Sequence, residues 1–126
     1  MTVVLDSSAL LALLWQEPGS DVVGTVIDEA VMSAVNWAEV ISKLQERGID
    51  LDEAKPMLAE MSLTIVPFDQ DQAFAVGALR MASKHLGLSI GDRACLALAK
   101  QLSSPAYTAD KTWEKLKVGV EVKLIR

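Results

Sequence analysis

The strongest constraint on the fold is a repeated alternation. Short runs of β-branched and other apolar residues, each too brief for a helix, are followed by longer segments whose apolar residues recur at helical spacing. The runs are TVVL at 2–5, AVMSA at 30–34, LTIVPF at 63–68, SPAYTAD at 104–110 and VEVKLI at 120–125. Between them, SSALLALLW reads as a helix capped by Asp6 or Ser7, and SDVVGTVIDEA as a second. Val35 to Arg47 reads as a third, stopped by Gly48. Asp50 can cap LDEAKPMLAEM, where Pro56 is expected to kink the helix or delay its start. DQDQAFAVGALRMASKHLG is expected to form one long helix ending at Gly87, with Ala73, Phe74, Val76, Leu79 and Ala82 as its apolar stripe. Ser89 to Leu102 gives one more helix, and KTWEKL a short helical turn. Continuously apolar strands separated by helices imply a parallel sheet covered on both faces with right-handed crossovers. The expected architecture is a three-layer α/β/α sandwich of about five parallel strands, with residues 1–126 as a single domain.

With 51% apolar and 23% charged residues the chain can bury a continuous core. Nothing approaches the roughly 18 uninterrupted apolar residues of a membrane span, and MTVVLDSS lacks the basic start and cleavage site of a secretory signal. The chain is expected to be cytoplasmic. One cysteine, Cys95, set in ACLALA, reads as a core residue, and with one histidine, His85, a zinc site of the usual nitrogen and sulfur type cannot be assembled. A net charge of −5 argues globally against phosphate binding. If several negative charges converge and hold cations, the local sign is reversed.

In open parallel sheets ligands sit beyond the carboxyl ends of the strands. Asp6 follows the first strand, Asp110 falls just past the fourth, and Glu39 and Asp92 occupy the first turns of two helices, so all four are expected on one rim. Taken singly, Asp6 reads as a helix cap, Asp92 as an acid opposing a helix dipole, Glu39 as the i,i+4 partner of Lys43, and Asp110 as a turn residue. Taken together they repel: two carboxylates about 4 Å apart cost roughly 4 kcal/mol at an effective dielectric near 20. A bound cation is the natural compensation, and oxygen-only ligands select Mg²⁺ or Mn²⁺ acting with substrate phosphates.

VVLDSSALLALL, SAVNWAEV, GLSIGDRACLALAKQL and AYTADKTWEKL, spread over essentially the whole length, give the chain a likeness to a known family. It resembles the PIN domain, and within it the VapC-type toxins of bacterial toxin–antitoxin pairs; GLSIGDRACLALA is the most specific stretch. The resemblance implies that Asp6, Asp92 and Asp110 bind metal, with Glu39 completing an acidic quartet. It places small hydroxyl residues beside them, matched by Ser7, Ser33 and Thr108, and Arg93 beside Asp92 is a further candidate for substrate contact. It also implies metal-dependent endonucleolytic cleavage of RNA, a homodimer and a cognate antitoxin.

Other readings compete. A phosphoacceptor receiver domain shares the sheet but needs adjacent carboxylates after the first strand, where this chain has Asp6, Ser7 and Ser8. A haloacid-dehalogenase-like phosphatase needs an acid where Ser8 stands, and no GxGxxG follows the first strand to bind a dinucleotide. An inactive RNA-binding or regulatory scaffold of the same fold is countered by retention of all four acids.

Overall fold

The computed structural model describes residues 1–126. Five parallel strands, β1 (Val3–Leu5), β2 (Ala30–Ser33), β3 (Thr64–Val66), β4 (Ala106–Thr108) and β5 (Val122–Leu124), form one sheet in the order β3-β2-β1-β4-β5. β1 lies at the centre, with Val4 in register with Val31 on one side and Ala106 on the other. The chain first winds from β1 through β2 to β3, then crosses back to lay β4 on the opposite side of β1. That reversal makes a topological switch point, and the carboxyl ends of β1 and β4 flank it.

Seven helices cover the sheet: α1 (Ser7–Leu14), α2 (Ser20–Val26), α3 (Ala34–Glu46), α4 (Leu51–Ala59), α5 (Gln70–Ala78), α6 (Arg80–Ser83) and α7 (Ile90–Gln101). The two-residue period of β1 divides the core. Val3 and Leu5 pack with Leu10, Val23, Val40, Leu44 and Leu58 of the first four helices, while Val4 packs with Val76, Ala94 and Leu98 of α5 and α7. The three-layer α/β/α expectation therefore holds. Cys95 and Trp113 are fully buried, and Trp15 and Trp37 are half-buried, the former under the Arg47 guanidinium at 3.6 Å. No helix is long and apolar enough to cross a membrane.

Three local expectations are corrected. α4 begins at once at Leu51, because the Asp50 carboxylate caps the Glu53 N–H at 2.9 Å, so Pro56 sits inside the helix without delaying it. SDVVGTVIDEA is helical only to Val26 and then tightens into a 3₁₀ turn at Ile27–Glu29. The long helix over 69–87 breaks into α5, α6 and a 3₁₀ turn at Lys84–Leu86, ended by Gly87 at φ 66°. Its inward face is Gln72, Val76, Leu79 and Ser83, whereas Ala73, Phe74 and Ala82 of the expected stripe are exposed. Two polar residues settle that face. Gln72 hydrogen-bonds Gln101 on α7, and the buried Ser83 hydroxyl donates to the Leu79 carbonyl at 2.7 Å, near the break.

Leu10 is fully buried at the junction of α1 with the sheet, while Phe74 is 70% exposed. Leu10→Ala is expected to cost about 2–5 kcal/mol in urea unfolding, and Phe74→Ala less than about 0.5 kcal/mol. Equal losses would contradict this division between core and surface.

Candidate active site

Asp6 follows β1 and occupies the N-cap position of α1, with extended backbone (φ −75°, ψ 159°), yet its side chain makes no capping bond. It is 4% exposed and accepts hydrogen bonds from the Ser8 hydroxyl at 2.8 Å and the Thr108 hydroxyl at 2.9 Å, both on Oδ2. These hydroxyls in turn accept the backbone N–H groups of Ala109 (3.0 Å, on Ser8) and Asp110 (3.1 Å, on Thr108). The network laces β1 to the loop after β4 across the switch point. Burial pushes the Asp6 carboxyl up to about 6 against the two hydroxyl hydrogen bonds, and the nearby charges of Asp92 and Glu39 push it further the same way.

Glu39, half-buried on α3, is held by the Asn36 side chain one turn earlier, whose Nδ2 donates to Oε1 at 3.0 Å. The Ser7 hydroxyl reaches the same oxygen only at 3.5 Å. Burial raises the Glu39 carboxyl, the Asn36 hydrogen bond opposes this, and the Asp92 charge raises it again. Gly91 lies against this carboxylate: a Cβ there would stand 2.7 Å from Cδ and 2.9 Å from Oε2 of Glu39. The next residue, Asp92, forms a capping box with Ser89, its Oδ2 accepting the Ser89 N–H at 3.0 Å while the Ser89 hydroxyl accepts the Asp92 N–H at 3.1 Å. Asp110 accepts both the N–H (3.0 Å) and the hydroxyl (2.8 Å) of Thr112 on Oδ1.

A common pattern emerges. Each of the four acids has one carboxylate oxygen fixed by protein donors, and the other receives none. None has a lysine, arginine or histidine at ion-pair distance. Asp92 and Glu39 lie close enough to Asp6 to raise its carboxyl, and Asp92 does the same to Glu39, whereas the Asp110 carboxylate is turned onto Thr112 and only its backbone N–H joins Asp6 through Thr108. The acids do not close a cage of three ligands. A small hard ion suits such a rim, because Mg²⁺ keeps several waters and needs only one or two carboxylates beside substrate phosphates.

The other expected contacts divide. Thr108 stands at the centre of the network. Ser33 is buried and caps α3 through the Val35 N–H at 3.2 Å, and Ser7 lies at the edge. The Arg93 guanidinium turns away from the rim and donates to the Val76 carbonyl on α5 at 3.2 Å. Sequence reading overlooked Ser8, Asn36 and Gly91. Only Asn36 carried a signal, its i,i+3 spacing to Glu39.

Two outcomes follow without metal. Unfolded, the Asp6 carboxyl ionises near 3.8, but folded it holds its proton to about 6, so between these values the folded state binds more protons. The Asp6 contribution to metal-free stability is therefore full below the lower value and is lost as pH rises through the upper one. At about 1.4 kcal/mol per tenfold change in proton affinity, the Asp6 share is roughly 3 kcal/mol. Urea titrations in EDTA should show this decline, and Asp6→Asn should flatten it; an unchanged slope in the variant would remove Asp6 as its source. Gly91→Ala should leave stability unchanged or raise it by up to about 1 kcal/mol, because the obstructing atoms are the movable end of Glu39. A crystal structure of the variant should show that carboxylate displaced from α7; a retained position would contradict the packing described.

Comparison with known proteins agrees with this fold. The model of the PIN domain family matches residues 3–119. Ribonuclease VapC of Mycolicibacterium smegmatis is 35% identical over 115 residues, covering 82% of this chain and 87% of that one. Among solved structures, a toxin-antitoxin complex from Klebsiella pneumoniae superposes with a TM-score of 0.78 at 20% identity, over 99% of this chain and 98% of the other. DNA-bound VapBC from Salmonella typhimurium gives 0.75 at 13% identity, over 100% and 99%. At such low identity these structures speak for the fold alone. With its five parallel strands in place, its family model matched nearly end to end and a relative above the 30% level, the chain belongs to the PIN-domain family, in the group of the VapC ribonucleases.

Proposed function

We propose that this chain is an endoribonuclease dependent on Mg²⁺ or Mn²⁺, with one or two of Asp6, Glu39, Asp92 and Asp110 bonding the metal directly and the others acting through its waters. The observation that carries the reading is the free oxygen on each of these acids, with no basic side chain at ion-pair distance, at the switch point of the sheet. Kinship with a ribonuclease VapC supports RNA as the substrate. When bound, such an ion supplies a nucleophilic water at neutral pH and neutralises charge on the phosphate oxygens during in-line displacement.

The protein's own share is orientation. Ser8 and Thr108 hold one Asp6 oxygen still, so that the other meets its ligand without reorganisation. The Ser89 capping box does the same for Asp92, and Thr112 for Asp110. His85 is exposed near a helix end and bonds none of the four acids, so any proton taken up at the site would go to one of their carboxylates or to solvent. Asp6 is buried at the end of β1, while Glu39, Asp92 and Asp110 are partly exposed beside it. We further propose that the protein acts in the cytoplasm as the toxin of a type II toxin–antitoxin pair, as a homodimer silenced by a cognate antitoxin; the likeness to a ribonuclease VapC supports this reading.

Purified protein should cut RNA with Mg²⁺ or Mn²⁺ and stop on addition of EDTA. Asp6→Asn and Asp92→Asn should each lower the rate by about a hundredfold or more, beyond the loss usual for groups that only support a ligand. Asp92→Asn should still melt cooperatively, since an asparagine oxygen can accept the Ser89 N–H. Undiminished cleavage by both variants would place the chemistry elsewhere.

A further inference from the structure

Asn36 is 0% exposed, yet it is not a packing residue. Its Nδ2 group divides its two protons between elements distant in sequence: Glu39 Oε1 on α3 at 3.0 Å and the Gly91 carbonyl on α7 at 2.9 Å. Its Oδ1 is buried with no donor. Turning the amide over would set that oxygen against a carboxylate and a carbonyl, so the acceptors fix the orientation. An amide buried with its oxygen orphaned is retained at a cost that a leucine of similar volume would avoid. What the amide provides is a bridge. It ties Glu39 to the peptide that immediately precedes Asp92, and Gly91, lacking a side chain, leaves room for the carboxylate there.

We propose that Asn36 is a positioning residue that sets the spacing between Glu39 and Asp92, and through it the affinity of the site for its divalent ion. This rests on the metal-site reading above. The inference assigns Asn36 no contact with substrate or reacting atoms. It predicts a defect in metal affinity, not in RNA affinity, because the residue reaches the site only through Glu39 and the first turn of α7.

The test compares wild type with Asn36→Leu, which fills the same volume without donors. The Mn²⁺ concentration giving half-maximal RNA cleavage should rise by about 10–100-fold. Cleavage should recover substantially at saturating Mn²⁺, with KM for RNA unchanged. A folded Asn36→Leu protein with the wild-type Mn²⁺ midpoint overturns the proposal, and so does a raised KM with that midpoint unmoved. A wild-type measurement keeps the proposal testable if the variant fails to fold: the Asn36 side-chain amide resonances should shift on Mg²⁺ addition and stay fixed in Asp6→Asn. Resonances unmoved at saturating Mg²⁺ overturn it. Should wild type bind Mg²⁺, with that shift, yet cut no RNA, the nuclease reading falls while the positioning role stands.

Discussion

The arrangement depends on one buried carboxylate. Asp6 sits where the central strand ends and the chain's winding reverses, and it is held by hydroxyls from both sides of that reversal, Ser8 on α1 and Thr108 on β4. A carboxylate 4% exposed among like charges would ordinarily be ejected or neutralised. Here two hydrogen bonds fall on a single oxygen, and the other has no protein donor. The same bonds fix the loop after β4, because Ser8 and Thr108 also receive its first N–H groups. Fold and site are thus joined by one small network.

The surrounding acids repeat this economy. Asp92 reaches back to the Ser89 N–H in a capping box, Asp110 caps the turn that follows it, and Glu39 is clasped by Asn36, so each side chain is ordered by an ordinary structural bond. Capping and metal binding are therefore compatible roles, assigned to different oxygens of one group. The net charge of −5 weighs against RNA binding only while the acids are counted as bare. On the proposed reading, a divalent ion beside these acids would turn a negative region into one that draws phosphate.

Much of this was legible in the sequence because strand ends are. The apolar runs located β1, β2 and β4, and the rule that ligands gather at carboxyl ends then selected Asp6, Asp110 and the first turns carrying Glu39 and Asp92. The hydroxyls were harder. Ser7 and Ser8 are adjacent, and which one turns to Asp6 depends on the phase of α1 about its axis, set by packing that no local pattern records. Arg93 was misjudged for a similar reason: neighbouring residues on a helix point about 100° apart, so proximity to Asp92 in sequence places its guanidinium over α5. Gly91 and half of Asn36's role were hidden because their partners are 55 residues apart. The break after α5 was hidden because Gln72 and Ser83, polar residues, take inward positions by finding partners there.

The claim that these carboxylates form one cation site is tested most directly by paramagnetic broadening of amide resonances with substoichiometric Mn²⁺. The account predicts that signals around Asp6, Glu39, Asp92 and Asp110 vanish first and together. Broadening centred instead on the exposed acids Asp50, Asp52 and Glu53 at the start of α4, or spread evenly over the surface, would contradict it.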